Sequence, residues 1–354
     1  MTLRFETPPA SVCLLRISAI GDTCHALYVL RALQAAWPQT RFTWIIGKLE
    51  ARLMVPLLPE VEFIIFDKRA SFTEWLRVRT LLATRRFDLL LHMQLALRAS
   101  LLSTLVHAPV RLGFDRARAR ELQWLFCNTH IAPGSREHVL DSLLGFVRAC
   151  GVEPGRPQAR LTLPADALDY GLEIAPDDRP TLLISPCSSR PVRNWLADRY
   201  AAVASHAVRR HGMRVVLVGG PSQTERLMGE AIASGTDVSL VNQIGRDTLP
   251  RLLGLIQRAT VLLTPDSGPA HMATLVGTPV IGLYAATNPA RSGPYGSLEL
   301  CVDRYEAACL KLRGKPSTAL PWTEKIEEPG VMDLIGVQAV TERLDEVMRR
   351  RGFG

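Results

Sequence analysis

An apolar stretch over residues 11–17 ends in the turn Ser18-Ala19-Ile20-Gly21-Asp22, and helical spacing of apolar residues follows over 23–37, up to Pro38. A turn of this kind lies at the carboxyl edge of a parallel sheet, where ligands bind. Gly21 lets the chain approach a ligand closely. Asp22 then has two uses. It can cap the helix by accepting backbone N–H bonds, or present a carboxylate that takes a proton from a reacting hydroxyl. A second strand–turn–helix, Thr264-Pro265-Asp266-Ser267-Gly268-Pro269-Ala270-His271, puts small residues at a helix start. Backbone N–H groups there, with the positive end of the helix dipole, suit a diphosphate. Pro269 costs little in a first turn, where its missing N–H had no intrahelical partner. The alternative is a plain N-cap at Asp266 or Ser267 with His271 turned into the core.

The stretch 185–195 (SPCSSRPVRNW) carries the hydroxyls of Ser188 and Ser189 and the guanidiniums of Arg190 and Arg193. Arginine can hold phosphate oxygens through two parallel bonds; solvated surface arginines are the plainer reading. A fourth turn, Gly219-Gly220-Pro221-Ser222 with Glu225 beyond it, lacks both the G-x-G-x-x-G and the G-x-x-x-x-G-K-[ST] spacing. That absence argues against a nicotinamide dehydrogenase. His, Cys, Asp and Glu never bunch at ligand spacing, so no metal and no cofactor are expected. Arginines and helix N-termini must then offset a diphosphate's charge. The seven cysteines are odd in number and contain no C-x-x-C pair, as expected of reduced thiols.

These turns need elements to position them. Helical and strand periodicities alternate through the first half, with strands expected at 11–17, 42–46, 61–66 and 89–93 and helices at 23–37, 49–58 and 72–84. Residues 111–135 read as an irregular basic loop, and 137–150 as a long helix. Proline-dotted polar residues over 151–180 read as a linker. A second alternating series runs from 181 to 284, and an amphipathic helix closes the chain at 337–351. Such a rhythm implies parallel sheets covered on both faces. At 354 residues, 47% hydrophobic and 21% charged, the chain suits two globular domains rather than one core or a disordered tail. Its longest apolar runs fall far short of the roughly 20 residues that span a bilayer, and its N-terminus lacks a signal-peptide layout. A cytoplasmic protein is expected. Residues 1–170 hold 21 Lys+Arg against 15 Asp+Glu, so +6 of the net +8 lies in the first half. That bias can draw an anionic partner to this half, or reflect an arginine-rich composition without function.

Several stretches together resemble one family, the ADP-heptose–lipopolysaccharide heptosyltransferases of glycosyltransferase family 9. LLRISAIGDTCHALYVLRALQAAWP resembles its opening strand, Ser-x-Ile-Gly-Asp turn and helix ending in Trp-Pro. TPDSGPAHMATLVGTPVIGLYAATNPARSGPYG is similar to its Asp-[Ser/Thr]-Gly-x-x-His signature and Thr-x-Pro-x-Arg-x-Gly-Pro-Tyr tail. SPCSSRPVRNWLADRYAAV and MDLIGVQAVTERLDEVM look like its hydroxyl loop and closing helix. The resemblance implies an α/β GT-B fold: two doubly wound Rossmann-like domains facing a central cleft. An acceptor-binding domain is expected at 1–170 and a nucleotide-sugar domain at 171–335, with a helix over 336–354 packing back on the first domain. It implies a metal-independent, inverting transfer of heptose from a nucleotide-diphosphate donor, ADP-heptose, to a lipopolysaccharide core. Asp22 falls on the family's general base. Asp266, Ser267, Gly268 and His271 fall on its donor turn, and Ser188, Ser189 and Glu225 on further donor contacts. Arg193 stands where the family usually has Lys, keeping charge but changing a point charge into a planar fork. Arg52, Arg98, Arg116, Arg118 and Arg120 are the candidates for holding acceptor phosphates. Expected partners are the nucleotide sugar and an anionic lipopolysaccharide-type acceptor, with peripheral attachment at the inner face of the inner membrane and no nucleic acid. Residues 301–330 are longer and more charged than the family leads one to expect. A sugar-nucleotide epimerase of the same architecture, or a non-catalytic nucleotide- or glycolipid-binding protein, are the rival readings.

Overall fold

The computed structural model describes residues 3, 7–69 and 72–352. It forms two compact units, Met1–Thr162 and Leu163–Gly354.

In the first unit the chain runs β1 (Ser11–Leu15), α1 (Ile20–Ala36), β2 (Arg41–Gly47), α2 (Lys48–Leu57), β3 (Glu62–Phe66), α3 (Phe72–Ala83) and β4 (Leu89–His92). It continues through α4 (Leu97–Ser103), β5 (Val110–Gly113), β6 (Thr129–His130) and α5 (Val139–Ala149). All six strands are parallel, in the order β3-β2-β1-β4-β5-β6. Cys13 and Leu15 of β1 cluster with Val78 and Leu82 of α3 and with Ala99 and Leu102 of α4. Alternation along the strand sends Val12 and Leu14, equally buried, to the opposite face. A strand buried on both faces reads as an unbroken apolar run, which is how β1 and β4 were legible.

The second unit runs α6 (Ala165–Ile174), β7 (Thr181–Ile184), α7 (Ala197–His211), β8 (Arg214–Leu217), α8 (Gln223–Ser234), β9 (Val241–Asn242) and α9 (Leu249–Arg258). Then come β10 (Val261–Pro265), α10 (Gly268–Val276), β11 (Val280–Tyr284), α11 (Pro289–Ser292), β12 (Val302–Asp303), α12 (Tyr305–Arg313) and α13 (Val337–Arg350). Its six parallel strands lie in the order β12-β11-β10-β7-β8-β9. Leu182, Ile184, Val215, Leu217 and Leu263 form one core with Tyr200 and Ala204 of α7 and Leu344 and Val347 of α13. The closing helix thus packs within the second unit, against α7, whereas the sequence reading places it on the first domain.

Two further stretches differ from their reading. The basic loop over 111–135 contains β5, β6 and a single 3₁₀ turn, Gln123–Phe126. Its strands are two to four residues long, too short to show a period of two. The linker over 151–180 contains α6, which belongs to the second unit and crosses α9 closely. Gly171 and Gly254 make that crossing possible: a Cβ on Gly254 would lie 2.0 Å from the Ala167 carbonyl oxygen. Replacing Gly254 with valine is therefore expected to destabilise the protein by about 1–3 kcal/mol through overpacking, read as a lower midpoint in urea. An unchanged midpoint would mean the helices can part without cost.

Candidate functional site

In each sheet, successive strands are added in one direction and then in the other. The order reverses between β1 and β4 in the first unit and between β7 and β10 in the second. At such a point the two neighbouring loops diverge to opposite faces and leave a crevice at the carboxyl ends of the strands. Asp22 follows β1, while the 185–195 loop and Asp266 follow β7 and β10. The sequence-derived candidates therefore sit at the two switch points.

At the first, Asp22 lies in the opening turn of α1 and takes the capping role its position allowed. Its Oδ2 accepts the Ala19 backbone N–H at 3.1 Å and lies 2.5 Å from Nη2 of Arg16. The carboxylate still keeps 35% of its side-chain exposure, so a hydroxyl can approach it. Arg16 itself is buried and held from two sides, donating to the Ser18 carbonyl at 2.9 Å and to the Met93 carbonyl. Across the switch, Gln94 Oε1 accepts the backbone N–H groups of Ile17 (3.1 Å) and Ser18 (3.3 Å). Gln123 Nε2 holds the Gln94 carbonyl in turn. Burial, with the charges of Arg111 and Arg16, pushes buried His92 down to about 3, so this ring is a neutral strut and not a proton carrier. Arg16, Gln94 and Gln123 were not singled out in the sequence. The available signal was two polar residues, His92 and Gln94, interrupting an apolar run at a strand end.

At the second, Ser188 Oγ donates to the Asp266 carbonyl at 2.9 Å, tying the loops after β7 and β10 across the switch. The Ser188 backbone N–H donates to Asn194 Oδ1 at 2.7 Å. Ser267 caps α10 through its backbone conformation, and its hydroxyl meets Thr264 Oγ1 at 2.8 Å. Gly268 opens the helix without a side chain over its first turn, whose N–H groups have no intrahelical acceptor. His271 is buried, as the core-facing alternative expected. Ser189 and Arg190 are exposed.

Arg193 is the pivot of this site. Its Nη1 lies 3.2 Å from Asp266 Oδ2 and its Nη2 2.5 Å from Glu327 Oε1. Glu327 and its neighbour Lys325 come from the 301–330 segment. Ile326 anchors that strap: its side chain is fully buried and its N–H donates to the Ala286 carbonyl beyond β11 at 2.8 Å. Arg313 of α12 grips both ends, 3.0 Å from Glu324 and 2.5 Å from Glu328. The unusual segment therefore folds into a strap that delivers a competing carboxylate to Arg193. Burial first, and then the positive charge of Arg193, push the Lys325 ammonium below its usual range. An anion bound here would relieve that repulsion. If Glu327 competes with a diphosphate for Arg193, Glu327→Gln should tighten ADP binding by about two- to fivefold, the range of a partly exposed ion pair. Calorimetric titration measures this, and weaker binding would contradict the competition.

The remaining candidates are placed as follows. Glu225 is occupied in holding its own turn: Oε1 accepts the Gly220 N–H at 2.7 Å, Oε2 accepts the Ser222 hydroxyl at 2.5 Å, and Ser222 caps α8 in return. These bonds shape the loop after β8. Arg118 is likewise committed, to Asp115, Glu137, Ser142 and the Ala132 carbonyl. These contacts brace the first unit. Arg98 donates to the Lys68 carbonyl at 2.5 Å, and Arg52 and Arg120 are exposed. Arg116 stacks on Trp124, 4.6 Å from the ring centroid, and both line a cavity of about 480 Å³ with Asp115 and His130. Of the five arginines, Arg116 alone lines that cavity.

Two successive doubly wound domains are the architecture of the GT-B fold. The chain belongs to glycosyltransferase family 9 (heptosyltransferase), whose pattern matches residues 75–323. It is 39% identical to lipopolysaccharide core heptosyltransferase OpsX of Haemophilus influenzae, over 97% of this chain and 98% of that protein. Its fold is that of the family 9 glycosyltransferase from Veillonella parvula, with a TM-score of 0.78 over 96% of this chain and 97% of that one at 20% identity. The E. coli heptosyltransferase WaaC, solved with ADP, shares the fold with a TM-score of 0.73, 20% identity and coverage of 95% and 99%. Among the described residues no helix is long and apolar enough to cross a membrane.

Proposed function

We propose that this chain transfers a heptose from ADP-heptose to a hydroxyl of the lipopolysaccharide core by a single inverting displacement. The observation that carries this reading is the similarity to OpsX from end to end, encompassing both switch-point sites. Asp22 takes the proton from the acceptor hydroxyl as its oxygen attacks the anomeric carbon opposite the diphosphate. Arg16 and the Ala19 N–H fix the carboxylate's direction. The first-turn N–H groups of α10 and the guanidinium of Arg193 stabilise the charge that grows on the leaving diphosphate. Arg193 exchanges Asp266 and Glu327 for phosphate oxygens as the donor arrives. Ser188, Ser267 and Gly268 shape the donor turn, and buried His271 supports it from behind. Arg116, on the Trp124 ring beside the His130 cavity, holds an acceptor phosphate. The basic first unit draws the enzyme to the anionic inner face of the inner membrane from the cytoplasmic side.

The test is incubation of the full chain with ADP-heptose, with and without heptose-deficient lipopolysaccharide. Acceptor-dependent release of ADP, with a heptose added to the glycolipid, is expected. Conversion of the donor without acceptor would instead identify an epimerase. ADP binding without any product would leave a binding protein.

A further inference from the structure

At the end of α7 away from the 185–195 loop, three metal-ligating side chains meet. His206 and His211 belong to the last turns of α7, and Asp345 to α13. His206 Nε2 lies 2.7 Å and His211 Nε2 2.6 Å from the same oxygen, Asp345 Oδ1. One ligand atom from each residue falls within 4.8 Å of the other two. Sequence spacing concealed this trio. The histidines are five positions apart, and the carboxylate arrives only when the closing helix packs on α7.

We infer that His206, His211 and Asp345 form a binding site for a borderline divalent transition-metal ion, of which Zn²⁺ is the type, that pins α13 to α7. Two imidazoles and one carboxylate are the donor set such ions take, whereas Mg²⁺ and Ca²⁺ take oxygens. With bonds of about 2.0–2.1 Å, neighbouring ligand atoms in a tetrahedral site stand about 3.3 Å apart. The present contacts of 2.6 and 2.7 Å would open by a fraction of an ångström, within reach of side-chain rotation. Both rings already aim their Nε2 edges at one point. Each ring's proton can move to Nδ1, leaving an Nε2 lone pair for the ion.

Two further features suit a cation here. The site lies at the carboxyl end of α7, beside the Gly212 cap, where the helix dipole favours positive charge. The side chains of His206 and Asp345 are 29% and 28% exposed, so an ion can enter from solvent and a water can complete the coordination. The consequence is mechanical. Val340, Leu344, Val347 and Met348 already bury one face of α13 in the second unit's core, and the ion adds a cross-link to the same pair of helices.

The test uses the full chain, stripped with a chelator and titrated with Co²⁺ and then Zn²⁺. Co²⁺ should give visible d–d bands of low-symmetry four-coordination that saturate at one equivalent. No thiolate charge-transfer band should accompany them, and Zn²⁺ should abolish them. Zn²⁺ at about a hundredfold over its Kd should raise the Tm by about 5 °C. His211→Asn and Asp345→Asn should each weaken binding by about 100-fold or more and remove that shift. The conservative His206→Gln is a third probe, and circular dichroism in chelator confirms that each variant is folded. Absence of saturable binding, or the same binding in all three variants, would overturn the assignment.

Discussion

Asp22→Asn should lower kcat by about 10²–10⁴-fold, the usual contribution of a positioned general base, while leaving the Kd for ADP unchanged. The amide preserves volume and can still accept the Ala19 N–H, so the opening turn of α1 should keep its shape. What it loses is the charge that pairs with Arg16 and the lone-pair basicity that takes a proton. The loss therefore belongs to turnover. Steady-state rates of ADP release, compared with calorimetric titration of ADP, separate the two quantities. A variant turning over near the wild-type rate would remove Asp22 as the base. A parallel loss of ADP affinity would mean that the carboxylate serves the donor.

The second large effect is expected at Arg193. Arg193→Ala should weaken ADP binding and lower kcat together, with a loss of about 10²–10³-fold in kcat, the scale of removing one donor to a developing anion. Deleting the guanidinium does more than remove a hydrogen-bond donor. Asp266 and Glu327 lose their common partner and present two carboxylates to the diphosphate. Arg193→Lys should recover much of the activity, since it restores charge and the family that this chain resembles usually has lysine there. The recovery should be incomplete, because an ammonium cannot span two carboxylates or two phosphate oxygens as a planar fork does. The double variant Arg193→Ala with Glu327→Gln distinguishes the two causes. Partial return of ADP binding in it would assign part of the loss to repulsion by Glu327. If Arg193→Ala binds ADP as the wild type does, the diphosphate is held elsewhere.

The doubly wound architecture was legible because central parallel strands are apolar on both faces, so β1, β4, β7 and β10 each show a continuous run ending in a polar turn. Those same turns carry Asp22, Ser188 and Asp266, and the site was visible wherever it hangs on such a strand. The misread regions share a different physics. β5 and β6 have two to four residues each and owe their pairing to neighbours in the sheet, not to their own pattern. The helix α6 hides among prolines because its packing rests on a glycine crossing, which carries no apolar signal. Glu327 and Lys325 were missed for a third reason. They reach Arg193 through a strap anchored by Ile326 and Arg313, contacts more than a hundred residues away from the turn they serve. Nor could residue type and spacing show that Glu225 and Arg118 hold nearby backbone and carboxylate groups. Type and spacing name the residues that could act. Only the partners decide which of them are available.

The proposed chemistry divides between the units, with the donor's diphosphate at the second unit's switch point and the proton acceptor at the first. A crystal structure of the full chain with ADP tests it most directly. The diphosphate should lie against the first-turn N–H groups of α10, with Arg193 turned from Glu327 onto phosphate oxygens and Asp22 still paired with Arg16. A diphosphate found beside Asp22 and Gln94, with the Arg193–Asp266–Glu327 cluster undisturbed, would contradict the account.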